Sequence, residues 1–233
     1  MRVAGVVLAG GSGSRIDADV NKVYMMVGGR AVLAFSLLSI SLQVDELVLV
    51  ARREDPAHEL VGGLGLPVAI VEGGATRHKS EVSALRYLAP AIERGDIGIV
   101  AIHDGARPFV TQELLSSLID EARRTGGAIP ALPVETPLLQ PRLDGSMAPV
   151  LDVWRAQTPQ VFWAGALLNA YLASEEEGWE GFDTAETVAR YTNTTVGIVA
   201  GDPRNLKITN RDDLAEVETL ASLWTPQGWT TSR

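Results

Sequence analysis

The sequence predicts an α/β protein on a doubly wound, mostly parallel sheet, with a β-hairpin arm projecting from it. Three observations carry that expectation. Short, branched apolar runs recur along the chain, stretches of helical spacing separate them, and a glycine-rich turn follows the first run.

Val3–Leu8 is nearly continuous in hydrophobicity, as a strand covered on both faces must be. Ala31–Leu42 then repeats apolar residues every three or four positions, which predicts a helix. The same alternation continues through the strand Glu46–Val50, the helix Pro56–Gly62, the strand Val68–Val71 and the helix Arg77–Glu93. It runs on through the strand Gly98–Ile102, the helix Thr111–Arg124 and the strand Ala128–Val134. A sheet of this kind binds ligands beyond the carboxyl ends of its strands.

Glu135–Arg155 breaks the rhythm with Pro137, Pro141 and Pro149 around an Asp144-Gly145 turn signal, so residues 135–155 read as the arm. Two helices follow, Trp163–Glu176 and Asp183–Tyr191, then a strand at Thr195–Val199 and a last helix at Arg211–Leu223. Trp224–Arg233 shows no periodicity and reads as a loose tail. Without repeats or a linker, residues 1–223 are expected to form a single domain.

Bulk properties narrow the function. The 46% hydrophobic content of the 233 residues suits a globular chain. A net charge of -9 argues against duplex nucleic acid, which wants clustered Lys and Arg. No apolar run approaches the ~20 residues of a membrane span, so no membrane partner is expected. The absence of cysteine excludes disulfides and thiolate metal sites. With no leader-like opening, a cytoplasmic location is expected.

Val7-Leu8-Ala9-Gly10-Gly11-Ser12-Gly13-Ser14-Arg15 follows the first strand directly. Glycines there let the backbone approach phosphate oxygens with its N–H groups, although an ordinary tight strand–helix turn has the same spacing. The pattern matches neither the dinucleotide fingerprint nor the P-loop. Arg15 and Lys22 tip the balance, because two cations beside a glycine cradle neutralise charge on a leaving pyrophosphate. Asp104, just past the strand Gly98–Ile102, is placed to hold Mg²⁺ through oxygen. Its neighbour His103 reads as structural, since one lone His gives no metal spacing. Arg107 suits a bidentate phosphate contact, or a carboxylate partner that shapes the loop.

Beyond the opening turn come Gly28-Gly29-Arg30-Ala31-Val32-Leu33, Gly73-Gly74-Ala75-Thr76-Arg77-His78-Lys79-Ser80 and His103-Asp104-Gly105-Ala106-Arg107-Pro108-Phe109. Gln157-Thr158-Pro159-Gln160 and Asn205-Leu206-Lys207-Ile208-Thr209 complete the series. In this order, across residues 1–223, they resemble the 2-C-methyl-D-erythritol 4-phosphate cytidylyltransferases of the non-mevalonate isoprenoid pathway, near relatives of the ribitol 5-phosphate cytidylyltransferases. The resemblance implies a Rossmann-like nucleotidyltransferase fold, CTP and a small phosphorylated polyol as substrates, Mg²⁺, and a homodimer joined through the arm. It implies Arg15, Lys22 and Lys207 as catalytic, with Asp104 on the metal and nucleotide. It implies nucleotide contacts from Leu8, Ala9, Gly10, Gly11, Gly13, Gly74, Ala75, Arg77, Ser80 and Gly105. For the acceptor it implies Arg107, Thr136, Thr158 and Asp183.

The departures cluster on the acceptor side. Asn21-Lys22-Val23 stands where the family has Pro-Lys-Gln, and Thr136-Pro137 with Leu139 where it has an Asp-Thr pair followed by Lys. Val150 replaces an Arg, and Phe182-Asp183-Thr184-Ala185 replaces Thr-Asp-Asp/Glu-Ala. Losing one guanidinium–phosphate contact costs ~2 kcal/mol or more; Arg142, Arg155 or Arg107 are the candidates to replace it. Two other functions stay open at this point. One is transfer to ribitol 5-phosphate or another polyol phosphate, toward which Leu8-Ala9-Gly10-Gly11 and Arg107-Pro108-Phe109 lean. The other is a nucleotide-binding paralogue without turnover.

Overall fold

The structure is a computed structural model that describes residues 1–10, 21–210 and 212–229. Its first half contains β1 (Arg2–Leu8), a 3₁₀ turn (Lys22–Tyr24), β2 (Met26–Val27), β3 (Arg30–Ala31), α1 (Val32–Ser41) and β4 (Glu46–Ala51). It continues with α2 (Ala57–Leu64), β5 (Val68–Glu72), α3 (Arg77–Glu93), β6 (Ile97–Asp104), α4 (Gln112–Thr125) and β7 (Gly126–Pro133). The second half holds β8 (Leu138–Pro141), β9 (Met147–Val150), β10 (Trp154–Ala156), β11 (Gln160–Trp163), α5 (Ala164–Glu177) and α6 (Thr184–Tyr191). It ends with β12 (Thr195–Ala200), α7 (Asp212–Ala221), β13 (Trp224–Thr225) and β14 (Gly228–Trp229).

The central sheet runs β10-β7-β11-β6-β1-β4-β5, with β12 also pairing with β7. The pairs of β1 with β4 and β6, of β4 with β5 and of β7 with β12 are parallel. Within this sheet, among the described residues, only the pairs made by β10 and β11 are antiparallel. The mostly parallel, doubly wound reading of the sequence holds.

Alternation along the strands sends neighbouring side chains to opposite faces, and the helices divide to match. Val3, Val7, Leu47, Leu49, Ile99 and Ala101 pack with Leu37 and Ile40 of α1 and Leu115 and Leu118 of α4. Ala4, Val6, Val48, Val50, Val100 and Ile102 pack on the other face with Leu85 and Leu88 of α3, Leu167 and Tyr171 of α5 and Val188 of α6.

Three features differ from the sequence reading. Gln160–Trp163 forms the antiparallel strand β11 between β6 and β7, a run too short to stand out beside its flanking turn. The arm keeps its predicted place as the β8–β9 hairpin, with Gly145 at φ +82 in its turn. Its return leg β10 belongs to the sheet edge instead, where Trp154–Ala156 pairs with β7.

The third is a correction. The chain past Leu223 is not a loose tail over its described part, because Trp224 is buried and packs edge-on against Phe35 at 5.0 Å. It also lies 6.1 Å from Phe109, and these rings join Val27, Val32, Ile208 and Val217 in a third apolar cluster. One large aromatic ring supplies enough buried area to anchor a segment without periodicity.

Candidate active site

The order β5-β4-β1-β6 makes the gap between β1 and β6 the point where the sheet's winding reverses. In such sheets the crevice at the carboxyl ends of those two strands is open to a ligand. Leu8 and Asp104 are register partners there, and the Gly105 N–H donates to the Leu8 carbonyl at 2.9 Å. A Cβ at Gly105 would stand 2.9 Å from that oxygen and from Leu33, so only glycine lets the two strand ends close up.

A cavity of about 640 Å³ opens at this point. Leu8, Ala9 and Gly10 line it from β1, with Asn21, Lys22 and Val23 from the following turn. Arg52 comes from the end of β4, Gly74–Arg77 and Ser80 from the start of α3, Asp104 and Ala106 from the end of β6, and Lys207 and Thr209 from the late segment.

Each wall is tied down locally. Thr76 caps α3 by accepting from Lys79 N at 3.1 Å. The Ser80 hydroxyl accepts from Gly74 N at 3.2 Å and lies 2.9 Å from the Thr76 carbonyl, to which it donates. A Cβ on Gly74 would collide with Lys79, so this turn also requires glycine. Asn21 explains its own departure from the family pattern. Its Nδ2 donates to the Ala9 carbonyl at 2.7 Å and to Asp55 at 3.2 Å, while its Oδ1 accepts from Val23 N. An amide thus fixes the turn that carries Lys22 against the end of β1. Asp55 also grips Arg52 at 2.8 Å, which anchors a cavity cation that the sequence reading missed.

Asp104 is the electrostatic centre. Lys207 Nζ lies 2.8 Å from its Oδ2, Arg77 Nε 3.3 Å from its Oδ1 and Arg107 Nε 3.8 Å from its Oδ2. Burial pushes the carboxyl pKa up, but these three cations prevail and hold it below the usual carboxylate range. The group is ionised at any working pH.

His103 behaves as structural. Its Nε2 donates to the Arg107 carbonyl at 2.9 Å, which leaves Nδ1 to accept the Thr158 hydroxyl at 3.1 Å. The Thr158 oxygen in turn accepts the Asp104 N–H at 3.0 Å. This chain needs a neutral ring, and burial lowers the His103 pKa to about 4.

The cavity therefore gathers Leu8, Ala9, Gly10, Lys22, Gly74, Ala75, Arg77, Ser80, Asp104 and Lys207 of the residues singled out from sequence. Gly11, Gly13 and Arg15 lie outside the described residues. Gly105 does not line the cavity; its neighbour Ala106 does. Spacing gave no signal for Arg52, Thr76 or Thr209, since single polar residues at strand and helix ends look like ordinary surface.

The residues named for the acceptor fall in two places, and three of them carry structural hydrogen bonds. Thr158 is buried with its hydroxyl committed to His103 and Asp104. Asp183 caps α6 through Glu186 N at 2.8 Å and accepts from Gln160 at 3.0 Å. Arg107 donates to the Asn205 carbonyl at 2.8 Å and lies 3.8 Å from Asp104, contacts that shape the loop. Thr136 lines a separate cavity of about 380 Å³ with Glu135, Arg155 and Pro203. Thr158 and Asp183 thus hold strand and helix ends in place, while Arg107 keeps a buried Nε without a hydrogen-bond partner.

No cluster of three or more His, Asp or Glu able to hold a metal occurs among the described residues. Asp104 alone, ionised and beside cations, fits a hard cation of the Mg²⁺ kind that takes most of its ligands from phosphate oxygens. No described helix is long and apolar enough to cross a membrane.

Comparison with known proteins agrees with this geometry. The family model described as 2-C-methyl-D-erythritol 4-phosphate cytidylyltransferase matches residues 3–222. The protein of that name from Syntrophus aciditrophicus is 36% identical over 229 residues, 94% of this chain and 95% of its own length. The solved structure of the enzyme of that name from Thermus thermophilus superposes with a TM-score of 0.75 at 30% identity, covering 95% of this chain and 100% of its own. That of 4-diphosphocytidyl-2C-methyl-D-erythritol synthase from Anaerococcus prevotii reaches 0.81 at 26% identity, covering 94% and 95%.

Proposed function

This chain belongs to the 2-C-methyl-D-erythritol 4-phosphate cytidylyltransferase family, and from that premise we infer that it transfers the cytidylyl group of CTP to 2-C-methyl-D-erythritol 4-phosphate. Pyrophosphate leaves and a CDP-alcohol forms. The observation that supports this most is the meeting of Asp104 and Lys207 beside Gly10 and Lys22 in one cavity at the sheet's switch point.

The chemistry needs little from the protein beyond position and charge. An oxygen of the acceptor's phosphate monoester attacks the α-phosphorus of CTP, and the bond to pyrophosphate breaks in line. The monoester is ionised near neutral pH, so no general base is required. Lys207 and Lys22 supply point charges for the extra negative charge of the transition state, a role we extend to Arg15. The turns at Gly10 and Gly74 line the cavity and let the backbone come close to the nucleotide, and Ser80 stands beside both turns. Asp104 would hold Mg²⁺, which when bound screens the charge of the triphosphate.

A homodimer through the arm is part of the same reading. Leu139, Leu143, Met147, Leu151 and Trp154 on or beside the hairpin are at least half exposed, a large apolar area to leave in water. Thr136 and Arg155, in the cleft at its base, are then the candidates to meet the acceptor. We also place the reaction in the cytoplasm, where CTP is available.

Incubation with CTP, Mg²⁺ and each acceptor, followed by pyrophosphate release, tests the function. Turnover is expected with 2-C-methyl-D-erythritol 4-phosphate. Activity with ribitol 5-phosphate alone would overturn the acceptor, and CTP binding without turnover on any polyol phosphate would overturn catalysis.

A further inference from the structure

Glu81 lies in the second turn of α3, 1% exposed, and does not line the cavity. A buried carboxylate is costly unless hydrogen-bond donors surround it. Here they come from three helices. Arg77 Nη1 lies 2.6 Å from Oε1, the Thr184 hydroxyl donates to the same oxygen at 2.6 Å, and the Tyr171 hydroxyl meets Oε2. Arg77 does line the cavity, and its Nε reaches Asp104.

A guanidinium carries its donors in a rigid plane. With Nη1 committed to Glu81 and Nε to Asp104, that plane is fixed, and Nη2 has no hydrogen-bond partner among the described residues. Stability alone does not call for an acid here. An apolar side chain at 81 would join Leu85, Tyr171 and Val188 with no desolvation penalty. The Thr184 hydroxyl touches the Glu81 carboxylate from the start of α6, so a carboxylate placed at 184 would stand beside the same Arg77 guanidinium.

We propose that Glu81 is a positioning residue for the nucleotide: it locks the Arg77 guanidinium against Asp104 so that Nη2 is presented to CTP. Glu81 itself touches no substrate and acts through Arg77. The inference rests on the reading that this cavity takes CTP.

CTP affinity measured by calorimetry with Mg²⁺ tests it in wild type, Arg77→Met, Glu81→Gln, the double variant of these two, and Glu81→Gln combined with Thr184→Glu. Each single variant is expected to weaken CTP binding roughly tenfold or more, the scale of a charge-assisted contact. The Arg77→Met/Glu81→Gln protein should bind no more weakly than Arg77→Met alone. Returning the carboxylate through Thr184→Glu should restore most of the affinity. Unchanged affinity in Glu81→Gln, or losses that add in full in the double variant, would overturn the positioning role. Unchanged affinity in Arg77→Met would instead sink the placement of CTP itself. Should Glu81→Gln fail to fold, Thr184→Val strips one hydrogen bond from the same carboxylate. Its weakening of CTP must then vanish in the Arg77→Met background, and persistence there overturns the proposal.

Discussion

Lys207 Nζ lies 2.8 Å from Asp104 Oδ2 and joins the end of β6 to a segment 103 residues later. The contact puts a cation at the cavity without leaving it mobile in solvent. Lys207→Met is expected to lower kcat roughly a hundredfold or more, the scale of one lost transition-state charge contact. Steady-state kinetics checks this, and a kcat close to wild type would remove Lys207 from the reacting centre.

Lys22 sits on the turn that Asn21 pins to Ala9. Lys22→Ala should likewise cost roughly a hundredfold in kcat, as should Arg15→Ala. Near-normal turnover in both would refute the assignment of the glycine turn to the triphosphate.

His103 predicts a pH dependence of stability. Its pKa in the folded protein is about 4, against an ordinary value near 6.5. The unfolded chain takes up a proton that the native ring refuses, so its contribution is complete above pH ~6.5 and is lost as pH falls toward ~4. That loss amounts to about 3 kcal/mol for this fully buried ring. Urea unfolding at several pH values should show a shallower acid slope in His103→Asn than in wild type. Equal slopes would mean that His103 is charged in the native state.

Trp224→Ala should destabilise the fold by about 3–5 kcal/mol, because the ring fills the space between Phe35 and Phe109. Thermal or chemical unfolding measures this. A loss below about 1 kcal/mol would restore the loose tail predicted from sequence.

Charges on the arm test the dimer. Leu139→Asp with Met147→Asp is expected to shift the protein to monomer in sedimentation, since both side chains are exposed in the single chain. Helix content should not change. A wild-type monomer would remove the arm from any interface.

The strand–helix alternation, the arm and the cavity-lining glycines were legible because each has a local signature, either a period or a turn residue. Lys22, Asp104 and Lys207 were legible only through their motifs. Arg52 escaped, since its role depends on Asp55 holding it beside a turn from another part of the chain. The structural bonds of Thr158 and Asp183 escaped for a related reason. Sequence shows a hydroxyl or a carboxylate, while its partner, whether a strand-end N–H or a helix's first turn, is set by the tertiary fold. The Trp224 packing was hidden because burial of one aromatic ring has no period.

The separation of Asp104 from Lys207 also sets a sequence of events during synthesis. At about 5–20 residues per second, a ribosome needs roughly 5–20 s to translate the 103 positions between them. Until then the emerging chain holds the acidic half of the centre with Arg77, while the lysine and the aromatic plug at Trp224 have not yet been made. Catalytic competence is therefore among the last properties the polypeptide acquires, and premature termination before Lys207 yields a product with much of the sheet and no route to turnover.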